Sequence, residues 1–278
     1  MELKIKLPEN RTYDQVRHHY EVEKNIANRI KKSSRSERKS IYMSMYGELF
    51  ASVSDHPRLI KRSCKEHIDD SNKTKWKFFK KFIRQDSDVV EFASGDCEFC
   101  YFIADKCKNI IGVDISDQRT DDIKSVKNFK LVIYDGYELY LSDSSIDCCF
   151  SDQLVEHIHF DDLKTHLGHA YKILRNGGIY AFRTPHKYAG PHDVSKFFSD
   201  TSEGFHLKEY NYIEVWNILK DAGFNKIKAF LEVKGNYLET PKLLVFLLEK
   251  ILGSFPTTLR RRVCGKLFQS VSIACWKD

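Results

Sequence analysis

Three things are scarce in this chain of 278 residues. Proline (6) and glycine (13) are too few for a low-complexity or collagen-like polymer. Apolar runs are short: Leu243 to Leu248, the longest in the tail, falls far below the roughly 20 residues that span a bilayer. Cysteine pairing is missing as well. The 8 cysteines follow no disulfide framework, and Cys97-x-x-Cys100 has no second pair at zinc spacing. A redox role for that pair is weaker than core packing at a helix start. The opening Met-Glu-Leu-Lys-Ile-Lys has no apolar signal core, so a reducing cytoplasm is the expected compartment.

Core-forming material is plentiful. Apolar residues make up 42% of the chain and aromatics 13%, which argues against disorder. The net charge of +6 is unevenly spread. Residues 1–86 carry 21 Lys/Arg against 12 Asp/Glu, and the remainder 24 against 27. A basic appendage could face an anionic partner such as nucleic acid, a phosphorylated sugar or a membrane surface; a solvated helical face is the plainer reading.

Periodicity divides the chain near Asp88. Before it, residues 11–32 predict a helix through Val22, Ile26 and Ile30. A second helix starts near Ser34, where Ser34 to Glu37 has capping-box form, and His56-Pro57 should stop it. A third covers about 72–84. From Asp88 on, short apolar runs alternate with helical stretches, the pattern of a parallel sheet. Strands are expected at about 88–92, 110–114, 130–134, 146–151, 178–183, 226–234 and 268–276. Helices are expected at about 97–107, 118–127, 161–175 and 210–222. The fold class is therefore α/β: a doubly wound, mostly parallel, seven-stranded sheet. It has a helical N-terminal subdomain (1–86), a main domain (87–278) and a helical insertion at about 240–263. That insertion is apolar nearly all round and must be covered, by the N-terminal helices, a second subunit or a lipid headgroup region, in that order.

Doubly wound sheets bind ligands beyond the carboxyl ends of their strands. The first strand ends at Glu91, and Gly95 permits the sharp turn after it. Asp114 ends the next strand, where a carboxylate can accept both hydroxyls of an adenosine ribose. A dinucleotide is the first rival. Its G-x-G-x-x-G turn is replaced here by Ala93, Gly95 and Glu98, while Glu91 and Asp96 would repel a pyrophosphate. The same carboxylates suit a cationic sulfonium and an ammonium group.

These motifs together resemble the class I, Rossmann-like S-adenosylmethionine-dependent methyltransferases, from Asp88 to Phe224. Glu91-x-Ala93-x-Gly95 is similar to the family's acidic-x-Gly-x-Gly turn, with Ala93 and Cys97 in place of glycines. Gly112-Val-Asp114-Ile115-Ser resembles the ribose strand, and Tyr134-Asp135-Gly136 falls where the family contacts adenine. Ser145-Ile-Asp147 to Ser151-Asp152-Gln153-Leu-Val-Glu156-His157 resembles the fourth strand and the helix after it. Leu174-Arg-Asn-Gly177-Gly178 and then Thr184-Pro185 resemble the fifth strand's approach and exit. The resemblance implies S-adenosyl-L-methionine as cofactor, held by Glu91, Ala93, Gly95, Asp114, Ile115, Asp135, Gly136, Ser151, Asp152 and Gln153.

Methyl transfer from a sulfonium expels a neutral leaving group, so alignment matters most, and a hydroxyl acceptor also needs a base. His157, His186 and His206 are the candidate catalytic residues, with His159 and His192 nearby. Glu156-His157 could also hold a divalent ion, as some quinone-modifying members do; no metal is assigned. Gly190-Pro-His192-Asp193 and Gly204-Phe-His206-Leu-Lys-Glu209-Tyr210 resemble segments of bacterial small-molecule and polysaccharide methyltransferases, and this loop could close over an acceptor. The expected function is methylation of a small molecule or glycan at a hydroxyl oxygen. The rivals are methylation of RNA or protein and a non-catalytic cofactor-binding module. No RNA-binding motif is present, nor an Asn/Asp-Pro-Pro-Tyr signature, so nucleic acid is not an expected partner. A homodimer through the N-terminal helices or the insertion, and peripheral membrane contact, remain as expected modes of association.

Overall fold

The computed structural model describes residues 1–119 and 125–278. Residues 120–124 of the helix anticipated over 118–127 lie outside the described residues, and the flanking positions 118–119 and 125–127 are not helical.

Four helices precede the sheet. α1 (Tyr13–Lys32) is closed by a capping box in which Thr12 and Gln15 bond each other's amides. Its buried face holds Val16, Tyr20, Ile26 and Ile30. α2 (Arg35–Ser52) starts where the Glu37 carboxylate reaches back to the Ser34 amide at 2.7 Å. The chain leaves α2 at Val53, and Pro57 takes the first position of α3 (Pro57–Arg62), where a missing N–H costs nothing. α4 (Lys65–Phe79) begins seven residues earlier than its aromatic face suggests. Phe78 and Phe79 at its end are fully buried among Phe99, Phe150 and Phe230 of the sheet layer, which fixes the helical region onto the sheet.

Among the described residues the sheet has eight strands: β1 (Asp88–Phe92), β2 (Asn109–Asp114), β3 (Phe129–Ile133), β4 (Ile146–Asp152), β5 (Leu174–Pro185), β6 (Lys226–Val233), β7 (Asn236–Thr240) and β8 (Ser270–Trp276). Their order is β3-β2-β1-β4-β5-β8-β6-β7. The first five pair in parallel, and β8 runs antiparallel between β5 and β6. Between β1 and β4 the strand order reverses, so that boundary is the switch point. β7 is the strand not anticipated. It forms a hairpin with β6 through Lys234-Gly235, both left-handed, the backbone that a two-residue hairpin turn requires. Among the described residues, α5 (Glu98–Ile103), α6 (Phe160–Ile173) and α7 (Tyr212–Asp221) are the remaining helices of the main layers.

The insertion forms a helical hairpin, α8 (Lys242–Gly253) and α9 (Thr257–Leu267). Its expected cover by the N-terminal helices is not what the fold shows. Val245, Glu249 and Leu252 turn inward, and Phe246 meets Trp216 of α7 at 5.6 Å. The opposite face, with Leu243 82% exposed, stays open. No helix among the described residues is long and apolar enough to cross a membrane.

Candidate active site

The turn after β1 keeps the backbone of a glycine-rich loop with Gly95 as its single glycine. Ala93, Gly95 and Cys97 all have positive φ (57°, 57° and 62°), so two side-chain-bearing residues hold a conformation that costs roughly 1–2 kcal/mol each. The Gly95 amide donates to Asp114 Oδ2 at 2.7 Å, and the Ile115 amide to Oδ1 at 2.8 Å. Gly112 on β2 makes room for this turn: a Cβ there would lie 2.8 Å from Ser94 Oγ. Asp114 is buried at the end of β2, and burial raises its carboxyl above the ordinary range. A third strained residue, Gln153 with φ 58°, follows β4 across the switch point.

A cavity of about 680 Å³ opens over these strand ends, well within the range of small-molecule sites. Of the residues expected to hold the cofactor, Ala93, Gly95, Asp114, Ile115, Gly136, Asp152 and Gln153 line it. Glu91, Asp135 and Ser151 do not. Glu91 lies beneath the turn, where it accepts from the Cys100 thiol at 3.0 Å and has Lys75 Nζ at 3.6 Å. Burial pushes it up to about 7. Asp135 folds back on the amides of Tyr137 and Glu138 and pairs with Lys39. Ser151 bonds the Tyr180 hydroxyl inside the core at 2.8 Å.

The cavity's roof was not legible in the motifs. Arg58 and Arg62 stand one helical turn apart on α3, hence on one face, and a Cβ on Gly95 would lie 3.0 Å from Arg58 and 3.5 Å from Arg62. Arg62 also pairs with Asp96 at 3.3 Å. These cations overturn the electrostatic case against pyrophosphate, because Glu91 is withdrawn and Asp96 is neutralised. The cofactor must be decided by fold and shape instead. At the floor, Arg183 holds Asp152 through two bonds of 2.8 and 2.9 Å. The only local sequence signal for Arg58 and Arg62 was their four-residue spacing after Pro57.

The histidines divide sharply. His157 lines the cavity, and its Nδ1 donates to the Phe205 carbonyl at 2.8 Å, which leaves Nε2 as an acceptor 3.8 Å from Glu156 Oε1. Glu156 is wholly buried; Thr184 donates to Oε2, while Oε1 has no hydrogen-bond partner. Burial raises Glu156 to about 7 and lowers His157 to about 3. His206 stacks edge-on to His157 with centroids 5.0 Å apart. Burial opposes its charge, but the Glu209 hydrogen bond at 2.8 Å and nearby Glu156 prevail and hold it up at about 9. His186 is not brought to the cavity. It is fully buried, with Nε2 on Glu249 at 2.8 Å and Nδ1 accepting from the Tyr188 amide at 3.1 Å, so both nitrogens are engaged away from the site.

The loop between β5 and α7 is tied down rather than free to close. Glu209 takes the His192 amide and His206, Asp193 takes the amides of Ser195 and Gly204, and Glu23 of α1 takes the Phe205 amide. None of its residues lines the cavity: Phe205 and His206 pack behind His157, so His206, like His186, is not brought to the cavity wall. Among the described residues, two side-chain groups could offer three metal-ligand atoms within 4.8 Å of one another: His19, Glu23 and His56, and Glu156, His157 and His206. In the first, His19 already bonds Arg11 and Glu23. In the second, His206 already bonds Glu209, while Glu156 Oε1 has no hydrogen-bond partner. All eight cysteines are unpaired thiols, and burial raises Cys100 well above the ordinary thiol range, which leaves no nucleophilic redox pair.

Residues 90–182, a third of the chain, match the sequence model of a methyltransferase domain. No curated protein matches the sequence. Among solved structures, phosphoethanolamine N-methyltransferase 1 of Haemonchus contortus, in complex with phosphoethanolamine and S-adenosylhomocysteine, aligns with TM-score 0.56 and 15% identity over 86% of this chain and 50% of its own. A S-adenosylmethionine-dependent methyltransferase of Archaeoglobus fulgidus gives 0.53 and 18% over 76% and 94%. One from Thermotoga maritima gives 0.52 and 15% over 94% and 100%. At these identities the likeness is one of fold. The fold is that of the class I S-adenosylmethionine-dependent methyltransferases, and residues 90–182 match a methyltransferase domain.

Proposed function

We propose that the chain methylates a hydroxyl oxygen of a small molecule or glycan, with His157 as the proton acceptor. The observation that carries this reading is the His157 ring at the cavity wall, fixed at Nδ1 by Phe205 and open at Nε2. The bound cofactor supplies an electrophilic methyl group on a sulfonium whose departure as a neutral thioether needs no acid. Asp114 would hold the ribose hydroxyls, Gly136 would border the adenine, and Arg58 and Arg62 would hold the carboxylate.

His157 takes the hydroxyl proton at Nε2; burial weakens it as a base, and the Glu156 carboxylate, 3.8 Å away and ionised above about 7, offsets this by stabilising the imidazolium so formed. The Phe205 carbonyl keeps the ring in the required tautomer and orientation. Asp70, Ser71 and Thr74 of α4 also line the cavity and offer hydrogen-bonding groups to a polyol. Part of the basic excess of residues 1–86, namely Arg58, Arg62 and Lys75, turns into the cavity and offers no outer surface for RNA.

A methyl-transfer screen of hydroxylated metabolites and glycans, run beside RNA and protein, tests this. Transfer to a hydroxylated small molecule or glycan is the expected outcome. Transfer confined to RNA or protein contradicts the acceptor assignment, and calorimetry showing no S-adenosylmethionine binding contradicts the cofactor site.

A further inference from the structure

The α8–α9 hairpin carries an outer face that nothing in the methyl-transfer site uses. On α8, Leu243, Leu247 and Ile251 recur every four residues and form one exposed stripe, with Leu244 beside it. Leu259 and Leu267 on α9 are exposed too. Six of the fifteen large apolar side chains exposed among the described residues therefore crowd into residues 242–267.

The stripe is rigidly presented. Glu249, fully buried on the opposite side of α8, accepts from the Tyr212 and Ile213 amides at 2.5 and 3.0 Å, capping α7, and holds His186. That bonding fixes the rotation of α8 and leaves the leucines no inward alternative.

The charge around the stripe has one sign. Residues 242–267 contain six Lys/Arg, and Glu249 is their single carboxylate, already engaged inside. Arg261 pairs with Asp200, and Arg260 lies over the Tyr188 ring. Lys250, Arg262 and Lys266 are exposed with no carboxylate partner among the described residues. A second copy docking by twofold symmetry would bring this cationic rim against itself. A surface of anionic headgroups over acyl chains complements both the leucines and the cations. The 12 residues of α8 extend about 18 Å, short of the roughly 30 Å hydrocarbon core, so the helix can lie in the interface but not cross it.

We infer that the α8–α9 hairpin docks the protein onto an anionic lipid bilayer. Co-sedimentation of the full chain with phosphatidylcholine vesicles, with and without phosphatidylserine, is the direct test. Binding to the phosphatidylserine vesicles is expected, weakening with salt. Leu243→Asp/Leu247→Asp should abolish it with the thermal unfolding profile unchanged, since both side chains are exposed. Lys250→Glu/Arg262→Glu should weaken it by at least about 25-fold, at about fivefold for each lost cation. No binding by the wild type overturns the inference, as does binding that survives the leucine substitutions. A dimer in sedimentation velocity that Leu247→Asp dissociates would assign the face to a second copy and overturn it as well.

Discussion

The described residues hold two groups of one glutamate and two histidines, and hydrogen-bond accounting separates them. In the first, Glu23 is bonded by His19 at 2.8 Å and by the Phe205 amide at 3.1 Å, and Arg11 holds the far side of His19. Every strong acceptor there is satisfied, so the group is a fastening between α1 and the loop before α7. In the second, Glu156 Oε1 has no partner and the adjoining His157 Nε2 is open at a cavity wall. Composition is alike; unmet hydrogen-bonding capacity marks the group that has chemistry left to do.

The largest expected effects would sharpen that contrast. His157→Ala or Glu156→Gln should cut turnover by about 10²–10⁴-fold with S-adenosylmethionine affinity retained. In the wild type, turnover should rise with pH through about 7, as Glu156 ionises, and Glu156→Gln should remove that limb in a pH–rate profile. Glu23→Gln should act on the fold instead, costing about 3 kcal/mol in denaturant unfolding, because it breaks a buried charged pair. Burial opposes the Glu23 charge, but its histidine partners prevail and hold its folded pKa below the usual carboxylate value. Its contribution is therefore present above the unfolded pKa and lost as pH falls below the ordinary carboxylate range.

Smaller effects test the cofactor end. Asp114→Ala should weaken S-adenosylmethionine binding by about 100-fold in calorimetry, through loss of charged hydrogen bonds to the ribose. Ala93→Gly should raise stability by about 1 kcal/mol, because glycine relieves a left-handed backbone there. A lowered melting temperature would show that the Ala93 methyl group packs better than the strain costs.

The cofactor end was readable because strand ends and turns are written in local sequence. Asp114 closes an apolar run, and Gly95 marks the turn after another. Hairpin β6–β7 was missed although Lys234-Gly235 carries the turn signal, since β7 is a short edge strand with little apolar pattern. Arg58, Arg62 and the Glu23–Phe205 contact depend on how α1 and α3 are placed over the sheet, and no local pattern encodes that. His186 was misplaced for a related reason. Its position after β5 is correct in sequence, but Glu249, 63 residues later, turns its ring away from the cavity.

The most direct measurement compares turnover and cofactor affinity in His157→Ala and His19→Ala, with an acceptor from the methyl-transfer screen. The expected result is that His157→Ala loses turnover at unchanged affinity and stability, while His19→Ala loses stability but keeps turnover per folded molecule. Normal turnover in His157→Ala would contradict the assignment of the open cluster as the site of proton transfer.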